Sequence, residues 1–165
     1  AWRHAVEVEN ILQKKTPATA RRQATLLRRR LTTLDAQAWT LISQSHHEVA
    51  VQMLLASSVK HSHLLGDFLL KVYAHRQRRL EPALAPVDWH DFLAECAHHD
   101  PAVAGWSEST RAKLFQVIVR ILVEAKYLDD ARSMKLTPRS LHPDVRRYLA
   151  ARHETYVLDC LERTK

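Results

Sequence analysis

The stretch Thr16-Pro17-Ala18-Thr19-Ala20-Arg21-Arg22-Gln23-Ala24-Thr25-Leu26-Leu27-Arg28-Arg29-Arg30-Leu31-Thr32-Thr33-Leu34 decides the fold class. Thr16-Pro17 is a start signal: a capping hydroxyl, then proline at the first helical position, where its missing N–H costs nothing. Ala20, Ala24, Leu27, Leu31 and Leu34 then recur at spacings of four and three. At about 100° per residue they form one apolar stripe. Arg21, Arg22, Arg28 and Arg29 project from the other side of the same helix.

The same period extends in both directions. Glu7 to Lys15 reads as a preceding helix, with Val8, Ile11 and Leu12 on one side. Asp35 to Ser43 reads as a third helix with Trp39 and Ile42 buried. His46 to His61 follows with Val49, Met53, Ala56 and Val59 inward. Ser62 caps the next helix, whose inner face is Leu65, Phe68, Leu69 and Val72. Pro82 and Pro86 then interrupt the pattern, which makes 81–85 the best hinge. Beyond it, Asp88 to His98 turns Trp89, Phe92, Leu93 and Cys96 inward. Asp100-Pro101 starts a short turn that ends near Trp106. Ser107 or Ser109 caps a long helix with Leu114, Val117, Ile118, Ile121, Leu122 and Ala125 inside. Residues 127–141 lose the helical period, and Ser133 to Leu136 has the character of a short strand. Helices from Pro143 to Ala151 and from Glu154 to Arg163 close the chain.

The expected fold is therefore all-α, a compact multi-helix bundle with an irregular or β-hairpin, wing-like segment near 128–141. Two subdomains are expected, a basic one at 1–80 and a second at 86–165, unless the whole is one compact domain.

Composition agrees. The chain has 165 residues, 46% of them apolar, enough for a real core. It contains two glycines and neither GxGxxG nor GxxxxGK[ST], which excludes phosphate-loop enzymes of those types. Cys96 and Cys160 form no CxxC pair, a usage that favours a reducing, cytoplasmic compartment. No signal-peptide pattern opens the chain, which begins at Ala1 rather than Met, as a trimmed sequence would. A membrane-crossing helix needs about 20 mostly apolar residues. The most apolar stretch, Leu114 to Val123, is shorter and holds Gln116 and Arg120, so no membrane association is expected.

The chemistry of common enzymes is not written here. There is no GxSxG and no HExxH. Eleven histidines include His46-His47, His61-x-His63 and His98-His99, but none completes a tetrahedral ligand set. Adjacent helical histidines point apart. Asp88, Asp91 and Glu95 read as the wet face of an amphipathic helix. No metal, no cofactor and no enzymatic activity are expected.

The charge is the informative feature. Lys and Arg number 25 against 18 Asp and Glu, giving +7, and the pI is near 9.7. The charges are segregated. Between Asn10 and Leu34 no acid occurs, yet Lys14, Lys15, Arg21, Arg22, Arg28, Arg29 and Arg30 all fall there. A second basic cluster is Lys71, Arg76, Arg78 and Arg79. From Leu80 to Thr110 the sign reverses, with six acids and no Lys or Arg. Ser109, Thr110, Arg111 and Lys113 then gather at a helix start, where free amides favour an anion. Like charges on one helix repel, and phosphates relieve that repulsion while releasing counterions. The competing reading pairs these arginines with the acidic segment or leaves them as a solvated face. A long helix followed by an irregular segment also has the order of a winged helix-turn-helix.

Scattered landmarks carry a resemblance. They are the run Lys60-His61-Ser62-His63-Leu64-Leu65-Gly66-Asp67-Phe68, then Trp89 with Asp91-Phe92, Asp100-Pro101 and Trp106-Ser107. Ser109-Thr110 with Lys113-Leu114, Tyr127-Leu128, Leu136-x-Pro138 and Val145 with Tyr148-Leu149 complete the set. In combination, over residues 26–162, the chain resembles the BrxA family, small accessory proteins of the bacterial BREX phage-defence systems. The resemblance implies a helical fold similar to the antitermination factor NusB, double-stranded DNA binding and a part in phage defence. It supplies no catalytic residues. The expected DNA contacts rest on charge placement alone: the arginine helix, the Lys71 to Arg79 cluster and the Ser109 to Lys113 terminus. They should be mostly phosphate contacts, because few Asn or Gln accompany the arginines. The alternatives are an adaptor docking other BREX proteins, or RNA binding as in NusB. A monomer is expected.

Overall fold

The computed structural model of the chain describes residues 2–162. The element order is α1 (Trp2–Glu7), α2 (Pro17–Leu31), α3 (Ala36–Gln44), α4 (His47–His61), α5 (His63–Phe68), a π-helical turn (Leu69–Tyr73), α6 (Ala74–Arg78), α7 (Pro86–His99), α8 (Pro101–Ala104), α9 (Glu108–Glu124), α10 (Pro143–Ala151) and α11 (Thr155–Glu162). The architecture is all-α; among the described residues, β pairing is confined to isolated bridges Ala83–Lys135 and Leu128–Leu136.

The start signals act as their chemistry requires. Thr16 Oγ1 accepts the Thr19 N–H, with Pro17 at the first position of α2. Asp35 caps α3 through the Ala38 N–H at 2.9 Å. Ser62 caps α5, and Ser107 rather than Ser109 caps α9.

α4 runs through the middle of the bundle. Val49, Met53, Ala56 and Val59 are buried as the stripe requires. Gln52 is buried as well: its Nε2 donates to the Ser140 carbonyl at 3.0 Å, and its Oε1 accepts the His142 N–H at 2.8 Å. One amide thus fixes the entry to α10, which removes the cost of burying it unpaired. α5, the π turn and α6 form a continuous rod. The π turn places both Leu69 and Tyr73 inward, and the Tyr73 hydroxyl donates to the Tyr127 carbonyl at 2.7 Å. Phe68 meets Trp89, Phe92 and Phe115 edge-on, at centroid distances of 5.8, 5.5 and 6.4 Å. Trp89 stacks on Phe115 and donates its indole N–H to the Arg111 carbonyl, which binds α7 to the start of α9. One apolar core extends from Leu34 to Leu161 and takes residues from both sides of 81–85. Val6, Ala20 and Ala24, with Leu12 against them, form a separate small core between α1 and α2.

Several local expectations change. The first helix ends at Glu7 rather than running to Lys15. Asn10 and Gln13 have positive φ, and the Asn10 side chain brackets the Lys14 backbone with two hydrogen bonds, an arrangement that competes with helix. Trp39 is 42% exposed, because Ala38, not Trp39, is the buried contact of α3. Val117 is 48% exposed; the buried stripe of α9 runs through Ile118, Val119 and Leu122. Ser133 to Leu136 forms bridges rather than a strand. The irregular segment lies back on the core through Tyr127, Leu128, Met134 and Leu141. It also holds the proline segment: the Leu84 N–H donates to the Met134 carbonyl, and the Leu136 N–H to the Pro82 carbonyl. Arg163, the expected end of the last helix, lies outside the described residues.

Candidate nucleic-acid interface

The three basic clusters end up in different electrostatic settings. The Lys71 to Arg79 cluster faces α7 and is met there by acids. Arg76 donates from Nε and Nη2 to Asp88 Oδ1, at 2.9 and 2.6 Å, and pairs with Glu81 through Nη1. Arg79 reaches Glu81 at 2.8 Å, and Lys71 reaches Glu95 at 2.8 Å. The hydrogen bond from Lys71 holds the Glu95 carboxyl below its ordinary range, and Lys71 is raised in turn. Arg78 is exposed and has no carboxylate partner among the described residues. Three of the six acids in the acidic middle of the sequence, Glu81, Asp88 and Glu95, are thus the counter-charge of this cluster. Of the others, Asp100 caps α8 through the Ala102 N–H, and Glu108 lies 3.7 Å from Arg111.

The α9 terminus is part-occupied by its own contacts. Ser107 Oγ lies 3.0 Å from both Ser109 Oγ and Thr110 Oγ1, and it accepts the Thr110 N–H. Arg111 is half-buried, donates to the Ala104 carbonyl at 3.3 Å and stands beside Glu108. Lys113 is exposed.

α2 is different. Of its five arginines, only Arg21 forms an ion pair among the described residues, with Glu7 of α1 at 2.9 Å. Arg22, Arg28 and Arg29 are exposed. Arg22 and Arg29 are seven residues apart, as are Arg21 and Arg28. Two helical turns bring each pair back to one face, about 10 Å apart along the axis. Arg30 turns elsewhere. It is half-buried in an apolar groove with Leu27, Leu31, Leu54 and Ile121, facing Glu124. Burial lowers its guanidinium pKa, and the Glu124 charge partly offsets this. Its own carbonyl accepts Ser57 Oγ at 2.7 Å, so Arg30 belongs to the α2–α4 contact. Lys14 and Lys15 lie in the loop before α2, Lys14 half-buried and Lys15 exposed.

The structure adds two residues to the arginine face. α1 packs along α2 and brings Trp2 and Arg3 to a groove of about 670 Å³ shared with Arg21, Arg28 and Arg29. The signal was present in the sequence as Trp2 and Val6, four apart. It could not be placed against α2 without the fold of the intervening loop.

Comparison with known proteins agrees with this arrangement of helices. The BrxA family model matches residues 1–153. A protein named BREX protein BrxA from Paramagnetospirillum magneticum is 39% identical over 161 residues, covering 98% of this chain and 81% of its own length. Another of that name, from Escherichia coli O9:H4 (strain HS), is 32% identical, covering 98% of this chain and 76% of that protein. A third, from Bacillus cereus, is 29% identical over 154 residues, covering 93% of this chain and 77% of that protein. A crystal structure of an uncharacterized protein from Magnetospirillum magneticum superimposes with a TM-score of 0.86 at 36% identity, covering 98% of this chain and 83% of that one. A family match over nearly the whole chain, joined by a solved relative of the same shape, places this chain in the BrxA family.

Proposed function

We propose that this chain is a non-enzymatic, double-stranded DNA-binding component of a BREX phage-defence system, acting as a monomer and gripping mainly backbone phosphate. The observation that carries the reading is the contrast between basic clusters. The Lys71 to Arg79 cluster is met by Glu81, Asp88 and Glu95, whereas Arg22, Arg28 and Arg29 face solvent without a carboxylate among the described residues. The names of its relatives supply the system, and the charge supplies the ligand class. Guanidinium forks suit phosphate oxygens, and two turns of α2 approach the width of a DNA groove, about 12 Å in the major groove. Lys15, exposed in the loop before α2, would extend the phosphate contacts at one edge. The NusB likeness that the family implies belongs to the same reading, and it makes RNA the competing anion.

The test is a gel-shift and anisotropy titration with blunt duplex DNA and with duplex RNA of the same sequence. Replacing Arg22, Arg28 and Arg29 by Glu should abolish the DNA shift while the melting temperature stays within a few degrees. Unchanged binding by that variant would overturn the assignment to α2, and tighter binding to the RNA duplex would favour the NusB-type partner.

One observation favours the adaptor reading as an addition. The groove between α2, α4 and α9 exposes Leu27 and Leu54 beside Val51 and Ile121. An apolar surface of this kind serves protein contacts better than phosphate. Leu54→Asp should then break association with another BREX protein and leave DNA affinity intact.

A further inference from the structure

Trp2 is 47% exposed and lines the groove between α1 and α2. It has no aromatic or cation–π partner among the described residues. Around it stand Arg3, Arg21, Arg28 and Arg29, with Thr25 and Thr32 on the α2 side. The acid of the groove, Glu7, is taken by Arg21 at 2.9 Å and Arg3 at 3.7 Å. That leaves Arg28 and Arg29 as the guanidinium groups without a carboxylate among the described residues.

An indole and guanidinium groups in one groove ask for two different things. The guanidinium groups suit phosphate. The indole face suits a flat π-system, and a phosphate offers none. In an intact duplex the base faces are covered by their neighbours and cannot be reached. An unpaired nucleotide presents both groups at once, a bare base face and its flanking phosphates. The volume of about 670 Å³ leaves room for such a unit rather than for a side-chain contact alone. The Thr25 and Thr32 hydroxyls already donate to the Arg21 and Arg29 carbonyls, so the donors left to a ligand on the α2 side are the guanidinium groups.

We propose that the α1–α2 groove receives an unpaired nucleotide of the bound DNA, its base stacked on Trp2 and its phosphates held by Arg28 and Arg29. This inference rests on the DNA-binding reading above and extends it from duplex to duplex with a single-stranded feature. It assigns to the arginine helix a preference for gaps, overhangs or distorted sites over continuous duplex.

The experiment compares two labelled DNAs by fluorescence anisotropy: a blunt duplex, and the same duplex carrying a short single-stranded overhang. The wild-type chain should bind the overhang DNA about ten-fold more tightly, the scale of one base stacked on an aromatic ring. Trp2→Ala should erase that preference, bringing the affinity for the overhang DNA to that for the blunt duplex. Trp2→Phe should keep most of it, which guards against a mere loss of α1 packing. Trp39→Ala removes another exposed tryptophan, on α3 and away from this groove, and should keep all of it. Equal wild-type affinity for the two DNAs, or a preference that survives Trp2→Ala, overturns the groove assignment while the duplex-binding reading stands. Absence of binding to both DNAs overturns the two together.

Discussion

Arg76 grips Asp88 through two N–H donors on one carboxylate oxygen, at 2.9 and 2.6 Å, while the other oxygen of Asp88 accepts the Ala85 N–H at 2.7 Å. The pair closes the segment between α6 and α7, with Glu81 as a second partner of Arg76. The Asp88 hydrogen bonds are the main reason that the Arg76 guanidinium is held firmly in its charged form. Asp88 thereby starts α7 and neutralises the middle of the second basic cluster in one contact. Removing Arg76 leaves the half-buried Asp88 with the Ala85 N–H alone and Glu81 without its inner partner, at a cost of about 2 kcal/mol. Arg76→Ala should lower the melting temperature by roughly 4–8 °C for a chain of this size. Its DNA affinity should change less than two-fold, measured by anisotropy at fixed salt. A large loss of affinity with an unchanged melting point would place Arg76 on the DNA face instead.

The exposed arginines of α2 should behave in the opposite way. Removing one phosphate-binding side chain lowers the slope of log affinity against log salt by about one unit. Arg22, Arg28 and Arg29 changed together to Ala should reduce that slope by about three units, with little change in stability because all three are exposed. A salt titration across a series of ionic strengths reads the slope directly. An unaltered slope would mean that these arginines are a solvated face.

Much of the fold was legible because helical caps and stripes are local signals. Thr16-Pro17, Asp35, Ser62 and Ser107 act within their own turns. What failed were features decided at a distance or by competition with the backbone. Asn10 halts the first helix by bonding the Lys14 backbone, and Trp39 lies outside because Ala38 fills the contact of α3. The charge segregation was also legible, and it located a basic and an acidic block. It could not tell which basic block meets the acidic one. That depended on the π turn and α6 lying beside α7, which pairs Lys71, Arg76 and Arg79 with acids and leaves Arg22, Arg28 and Arg29 of α2 without a carboxylate among the described residues. Trp2 joined the arginine face only through the α1–α2 packing around Val6, Ala20 and Ala24.

Gly66 of α5 packs directly against Tyr156 of α11. A Cβ placed there would lie 2.3 Å from the Tyr156 hydroxyl oxygen. That hydroxyl is itself fixed, 2.8 Å from Asp67 Oδ1 and 3.2 Å from the His63 carbonyl, so it cannot simply swing away. Gly66→Ala should therefore separate the helices or break this network, costing about 1–3 kcal/mol as overpacking does. Adding Tyr156→Phe removes the clashing oxygen and should recover part of the loss, although it gives up the Asp67 contact. Chemical denaturation of the two variants checks this. A Gly66→Ala variant as stable as the wild type would show that α11 shifts freely.

Asp35 gives the fold a pH dependence with a definite sign. Its carboxylate accepts the Ala38 N–H at 2.9 Å and the Tyr148 hydroxyl at 3.1 Å, and it pairs with Arg152 at 2.6 Å. The Ala38 hydrogen bond is the largest cause of a pKa held below the ordinary carboxylate value, with Tyr148 and Arg152 adding to it against some desolvation. A carboxyl whose folded pKa is depressed binds its proton more readily when unfolded. Its stabilisation is full above the unfolded pKa, about 4, and is lost as pH falls through the folded value. Because Asp35 joins the start of α3 to α10 and the arginine just after it, acid should loosen both contacts together. Asp35→Asn keeps a capping side chain but loses the charge. It should cost less than about 1 kcal/mol at neutral pH, because the pair with Arg152 is solvent-exposed, and flatten the fall in stability as pH drops below about 4. Urea unfolding followed across that range measures the difference. Parallel wild-type and Asp35→Asn curves at every pH would mean that the loss of stability in acid arises from other carboxylates.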